Sequence, residues 1–355
     1  MADEGRAPPQ QDDYVPNNVL VTGGAGFIGS HVTTRLVNNY PQYKVVVLDK
    51  LEYCATLNNL RSCQDKPNFK FIKGDIKSAD LMRHVFQSEK IDTILHFAAQ
   101  SHCDHLFGNS LDFTLNDTFG THVLLESARA YGKIERFINV STDDVYGQAE
   151  PSSSTGLMDD STTLEPTNPY SAAKAAVEML VKAFINSYDL PCITTRANNV
   201  FGPHQYPEKL IPKMTLLGLK GLDLSVHGDG ENTRTYLYVE DVAEAYDLVL
   251  HKGVLGETYN IGTKRERSVN EVVRAIANYF KMPDEKIVHV DDRAFNDRRY
   301  VMCVEKLEGL GWKEKTSWEE GLSKTIEWYV KNNVTEYFEH GNMTAALEPH
   351  PTVCQ

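Results

Sequence analysis

Six short apolar runs, separated by amphipathic stretches, set the plan of the chain. Val19–Thr22, Val45–Leu48, Phe69–Ile72, Thr93–Phe97, Phe137–Val140 and Cys192–Thr195 are dense in valine, isoleucine, leucine and phenylalanine. Continuous apolar runs of that length suit strands buried on both faces. Between them, His31–Asn38, Leu81–Gln87, Thr121–Tyr131 and Ala172–Ser187 space their apolar residues as helices do. Strand–helix alternation predicts an α/β fold, a doubly wound parallel sheet with right-handed crossovers, over residues 18–202. Past Gly202-Pro203 the elements shorten and mix, which predicts a smaller C-terminal substrate-binding domain over 203–332. A segment near 236–250 is expected to return to the first domain. Residues 1–17, polar and rich in Asp, Gln and Pro, read as a disordered arm, and 333–355 as a tail without clear pattern. The Ser/Thr-rich stretch Pro151–Thr163 reads as a surface excursion near the site.

The first run leads directly into Gly23-Gly24-Ala25-Gly26-Phe27-Ile28-Gly29, which opens a helix. Gly23, Gly26 and Gly29 allow a tight turn, close approach to a pyrophosphate, and close helix–strand packing, while the helix N-terminus faces the phosphates. This makes the sheet Rossmann-type. Asp49 stands 20 residues past Gly29, at the end of the second strand, where a carboxylate accepts hydrogen bonds from the adenosine ribose. It would repel a 2′-phosphate, so NAD is the expected cofactor, although Lys50 beside it weakens the inference. Asp75 and Ile76 follow the third strand and flank the adenine in this reading, with a plain strand-end turn as the alternative for Asp75. Ala98 and Ala99 end the fourth strand with small side chains that let the cofactor cross the sheet edge.

Hydrophobic residues at 41% and charged residues at 24% are ordinary for a soluble globular chain. The net charge of −13 argues against a general nucleic-acid or membrane surface. Six scattered cysteines form no CxxC pair and no metal spacing, so no metal is expected; reduced thiols fit a cytoplasmic protein. Neither a secretory signal nor a membrane span is recognisable.

The chemistry concentrates in two segments, Ser141-Thr142-Asp143-Asp144-Val145-Tyr146-Gly147 and Tyr170-Ser171-Ala172-Ala173-Lys174. Tyr170 and Lys174, four apart on a helix, share a face, and the ammonium can lower the phenol's pKa. Asp143 and Asp144 add an acid and a base beside a redox centre, since neighbouring carboxylates repel and one is kept protonated. An Asp-Asp pair standing alone would read as a strand-end turn or helix cap.

These residues together resemble the extended short-chain dehydrogenase/reductase family, and within it the nucleotide-diphosphate-glucose 4,6-dehydratases. Asn198-Asn199-Val200-Phe201-Gly202-Pro203, Pro207-Glu208-Lys209-Leu210-Ile211-Pro212 and Asn296-Asp297-Arg298-Arg299-Tyr300 extend the match over nearly all of residues 18–330. The wording is most similar to the dehydratase portion of plant UDP-rhamnose synthases, which implies UDP-glucose as substrate; uracil and thymine differ by one methyl group. The resemblance implies that Tyr170 takes the C4 hydroxyl proton, that Thr142 bonds the C4 oxygen, and that Lys174 holds the nicotinamide ribose. Asp143 would be the acid and Asp144 the C5 base. It implies substrate contacts at Asp104, Asn199, Lys209, Arg234, Arg293, Asn296 and Tyr300, and a homodimer through two helices per subunit.

Two positions depart from the family pattern. Asp144 stands where the family has glutamate, which draws the carboxylate back by about 1.5 Å, one carbon–carbon bond. Leu106 replaces a serine. Within the same fold, a UDP-hexose 4-epimerase or UDP-glucuronate decarboxylase would share NAD and the Tyr/Lys pair, but not the carboxyl at Asp143. A non-catalytic nucleotide-sugar sensor is the alternative from another class, with Asp144 marking lost chemistry.

Overall fold

All six apolar runs become strands of one parallel sheet; five form strands whose side chains are almost all buried whichever face they point to, whereas Phe69–Ile72 forms its partly exposed edge. The computed structural model describes residues 13–100, 110–148, 150, 156–291 and 301–347. The first half runs β1 (Asn18–Thr22), α1 (Phe27–Asn39), β2 (Lys44–Asp49), β3 (Phe69–Lys73), α2 (Ala79–Glu89), β4 (Thr93–His96), α3 (Gly120–Tyr131), β5 (Arg136–Thr142), α4 (Pro169–Tyr188) and β6 (Cys192–Ala197). The second half runs β7 (Asn199–Phe201), α5 (Leu210–Leu219), β8 (Leu224–His227), β9 (Thr233–Tyr238), α6 (Val239–Lys252), β10 (Thr258–Ile261), β11 (Glu266–Ser268), α7 (Val269–Tyr279), β12 (Ile287–Val290) and α8 (Trp318–Lys331).

Seven strands form the main sheet in the order β10-β6-β5-β4-β1-β2-β3, every pair parallel. In β1, Val19 and Val21 join one core and Leu20 the other, so both faces of the sheet are covered. The strand order reverses beside β1, which places the ligand crevice at the carboxyl ends there. Two small sheets, β11-β9-β7 and β12-β8, stand apart from it over their own core.

The chain's return to the main sheet runs further than 236–250. After α6 packs along α1, Thr258–Ile261 pairs with β6 as the seventh strand. The arm is also shorter than the composition suggests. The Tyr14 amide donates to the His251 carbonyl at 2.8 Å, and Arg136 stacks on the Tyr14 ring at 4.4 Å. In the tail, Val334, Phe338, Met343 and Ala346 pack on Tyr206 and Tyr329. The described part of the Ser/Thr-rich stretch is not a free excursion, because buried Met158 bridges Met302 and packs on Tyr146.

Helix ends follow local chemistry. Asn168 and Ser171 form a reciprocal capping box with Pro169 in the first turn, which starts α4 immediately before Tyr170. A π-helical turn, Thr114–Phe119, precedes α3; hydrophobic spacing gives no sign of it.

Candidate active site

A cavity of about 700 Å³ follows the carboxyl ends of the main strands and takes in residues from the small sheets. Gly23, Asp49, Gly74, Phe97, Thr142 and Ala197, each at or just past a strand end, all line it.

Backbone geometry dominates the glycine loop. Gly23 has φ +69°, its amide donates to the Leu48 carbonyl at 2.9 Å, and a Cβ there would lie 2.5 Å from the Ala98 nitrogen. A Cβ on Gly29 would lie 2.5 Å from the Gly23 carbonyl oxygen. Gly26 donates to that same carbonyl at 3.2 Å and precedes α1, which no side chain caps among the described residues. The leading N–H groups of α1, with Phe27 and Ile28 lining the cavity, therefore remain to meet an anion.

Asp49 is buried, and its two oxygens accept the Ala25 and Leu51 amides at 3.0 and 2.8 Å. Burial raises its pKa, and those two amides oppose the rise. Lys50 is engaged: it donates to Asn116 at 3.0 Å and pairs with Glu52. Two carboxylates and an occupied lysine suit a ribose hydroxyl better than a 2′-phosphate. A glycine cradle, uncapped helix and acidic ribose end fit a dinucleotide. Asp75 lines the cavity but is tied to its own turn, accepting the Lys77 amide at 2.9 Å. Ile76 is buried against Gly120, and Ala98 and Ala99 line the cavity.

Tyr170 and Lys174 also line it. Tyr170 is buried, its ring 6.1 Å from that of Phe113. Lys174, one turn on, donates to the Val140 carbonyl at 2.9 Å. Burial lowers the Lys174 pKa, and the Asp117 and Glu178 carboxylates oppose that fall.

β5 ends in the carboxyl pair. Thr142 caps a short 3₁₀ turn by accepting the Asp144 amide at 3.2 Å, and its hydroxyl donates to Asp143 Oδ1 at 3.3 Å. Asp144 and Thr142 line the cavity, whereas Asp143 lies behind them, only 2% exposed. Asp143 Oδ2 accepts from Asn198 Nδ2 at 2.7 Å. Burial, followed by the Asp144 charge, pushes the Asp143 carboxyl up to about 7, against Asn198, Arg234 and Thr142.

Among the sugar-nucleotide contacts expected, Asn199, Lys209 and Arg234 line the cavity. Asp104, Arg293, Asn296 and Tyr300 lie outside the described residues, as does Leu106. Sequence reasoning passed over three polar residues. Asn198 opens the Asn-Asn motif, whose letters assign it no role. Lys213, buried, lines the same cavity. Asp117, 1% exposed in the π-helical turn, accepts the Gln100 amide at 2.8 Å on Oδ1, while its Oδ2 has no hydrogen-bond partner among the described residues. Burial raises it to about 6, against the nearby Lys174 charge. Its spacing from buried Phe113, Thr121 and Leu124 puts it on the apolar face, a signal that was available.

No helix is long and apolar enough to cross a membrane, and no group of three metal-binding side chains occurs among the described residues.

A family model described as GDP-mannose 4,6 dehydratase matches residues 20–325. The chain is 57% identical over 339 residues to a trifunctional UDP-glucose 4,6-dehydratase/UDP-4-keto-6-deoxy-D-glucose 3,5-epimerase/UDP-4-keto-L-rhamnose-reductase of Arabidopsis thaliana, covering 95% of this chain and 50% of that one. It thus spans about half the length of that relative. It is 45% identical over 354 residues to the dTDP-D-glucose 4,6-dehydratase of Bos taurus, covering 98% and 96% of the two chains. The crystal structure of dTDP-glucose 4,6-dehydratase from Bacillus anthracis in complex with NAD superposes with a TM-score of 0.82 at 40% identity, covering 91% of this chain and 99% of that one.

Proposed function

The chain belongs to the GDP-mannose 4,6 dehydratase family, and on that premise we propose that it is an NAD-dependent hydro-lyase converting UDP-glucose to UDP-4-keto-6-deoxyglucose. The observation that supports this most is Asp143, buried with a raised pKa behind cavity-lining Thr142 and Asp144, in one cavity with Tyr170 and Lys174. An oxidation alone has no use for a carboxyl that keeps its proton near neutrality; an elimination does.

NAD, when bound, supplies a reversible acceptor for the sugar's C4 hydrogen, with Gly23, Gly26, Gly29 and Asp49 as its holders. Tyr170 takes the C4 hydroxyl proton, and the charge of Lys174 stabilises the phenolate. The ketone formed on the sugar acidifies the C5 proton, which Asp144 removes. When Asp143 is protonated the 3.3 Å contact to Thr142 reverses, Oδ1–H donating to the Thr142 oxygen. The Thr142 hydroxyl, which opens on the cavity, gives its own proton to the departing C6 oxygen and takes the Asp143 proton in its place. Asn199, Lys209, Lys213 and Arg234 hold the diphosphate, where arginine can grip phosphate oxygens in pairs.

The uracil nucleotide is preferred because the plant relative is the more similar, at 57% against 45%. The reading extends to a homodimer in the cytoplasm. Leu111, Leu115 and Phe119 are exposed in one stripe beside exposed Met179 of α4, an apolar face that a second copy would cover. Cys54, Cys63, Cys192 and Cys303 are free thiols, as a reducing compartment keeps them.

Incubation with UDP-glucose and with dTDP-glucose, followed by alkali-induced absorbance of a 4-keto product, tests the reaction and the base together. The expected result is faster turnover of UDP-glucose. UDP-galactose as product, or binding without turnover, would contradict the reading.

A further inference from the structure

Asn198 sits between β6 and β7, 4% exposed, and is held by a single turn. Its backbone amide donates to the Ile261 carbonyl at 3.0 Å, and its side-chain oxygen accepts the Thr263 amide at 3.1 Å. A backbone N–H can only donate, so that contact fixes which way the amide faces and leaves Nδ2 aimed at Asp143. Gly262 makes the fit possible: a Cβ there would lie 2.1 Å from Asn198 Oδ1.

We infer that Asn198 is the positioning residue of the acid: clamped by the turn after β10, it occupies Asp143 Oδ2 with an N–H and so confines the carboxyl's proton to Oδ1. The inference rests on the reading of Asp143 as the acid in the elimination. Oδ1 is the oxygen 3.3 Å from the Thr142 hydroxyl, accepting from it when ionised and donating to it when protonated, and Thr142 lines the cavity while Asp143 does not. Asn198 therefore points the acid toward its outlet without giving up a proton itself. It also restrains the acid's affinity. An N–H donated to a carboxylate favours the ionised form, here against burial and the charge of Asp144, and with the more distant help of Arg234 from β9. The turn that holds Asn198 leads into β11, which pairs with β9 beside Arg234, so acid and diphosphate cation share one support.

The test is the pH dependence of turnover of UDP-glucose by the full chain and its Asn198→Ala variant. Loss of a hydrogen bond to a charged group should move the alkaline limb set by Asp143 upward by about one to two pH units. Turnover should fall with KM held within about twofold, and absorbance of bound NADH should persist because oxidation then outruns elimination. Asn198→Ser, with a shorter donor, should show a smaller shift and recover part of the rate. An unmoved limb in either folded variant contradicts the inference, as does a rise in KM with turnover unchanged, which would make Asn198 a plain substrate contact. Should Asn198→Ala fail to fold, the limb of Asn198→Ser decides. A wild-type chain that turns over no sugar nucleotide removes the underlying reading before any variant is made, so the two failures are distinct.

Discussion

Around the glycine loop, main-chain groups make the site: Gly23 and Gly29 come within clashing distance of backbone for any Cβ, and both Asp49 oxygens are satisfied by amides. Around Thr142, a short distance along the same sheet edge, side chains from elements far apart in sequence make it instead. Asp143 is set by Asn198, and Lys174 by Asp117 and Glu178. The first region is fixed by geometry that burial merely protects. In the second, burial is itself the instrument, raising Asp143 and Asp117 and lowering Lys174. Binding can therefore survive changes that stop the chemistry, and the comparison can be broken at several points.

The sharpest break is Tyr170→Phe. It should lower turnover by about 10²–10⁴-fold, the usual contribution of a positioned acid–base group, while NAD stays bound. Stopped-flow absorbance should show no NADH forming when sugar nucleotide is added; normal NADH formation would remove Tyr170 from the first step.

Glu178→Ala attacks the support of the chemistry region. Glu178 and Arg196 are both buried, paired at 2.7 Å, and Arg196 also donates to Tyr146 just past Asp144. Leaving Arg196 unpaired should cost about 3–5 kcal/mol in denaturant unfolding. A cost below about 1 kcal/mol would show the pair to be well hydrated.

Asp117→Asn should do the opposite. The Asp117 carboxyl rises to about 6 on folding, so the folded chain keeps a proton that the unfolded chain has lost. The penalty for ionising it therefore grows as pH climbs from about 4 to about 6 and is constant above that. The variant should gain up to about 3 kcal/mol near pH 8 and almost nothing near pH 4. A gain equal at both values would contradict the titration.

The smallest effect expected is a gain. Asp144→Glu restores the methylene and should speed the elimination by up to about a hundredfold if the shorter side chain limits it, because misplacement of about 1 Å can cost that much. An unchanged rate, with wild-type NADH transients, would mean that the backbone already compensates.

The same contrast explains what the chain discloses as a string of letters. Strands β1 to β6 each carry a short apolar run, and the glycine loop is a local pattern, so both are legible by spacing. Asp143, Asp144, Tyr170 and Lys174 are local enough to be picked out, and the cavity brings all but Asp143 to its surface. Three kinds of feature resisted. The π-helical turn at Thr114–Phe119 has ordinary helical composition. The seventh strand, Thr258–Ile261, is four residues long and joins β6 from some 60 positions away. Tyr14 looked like disordered arm because its composition is local, while its ring rests on Arg136. Asn198 falls in the same class: its partners, Asp143 and Thr263, are 55 and 65 residues distant, and only the fold makes it their neighbour.

The most direct measurement follows a single hydrogen. UDP-glucose carrying deuterium on C4 should yield product with that deuterium in the C6 methyl group, seen by NMR or mass spectrometry, because the hydrogen leaves C4 before water is lost and returns to C6 afterwards. Product whose methyl group holds only solvent hydrogen, with the label washed out or still at C4, would contradict the account.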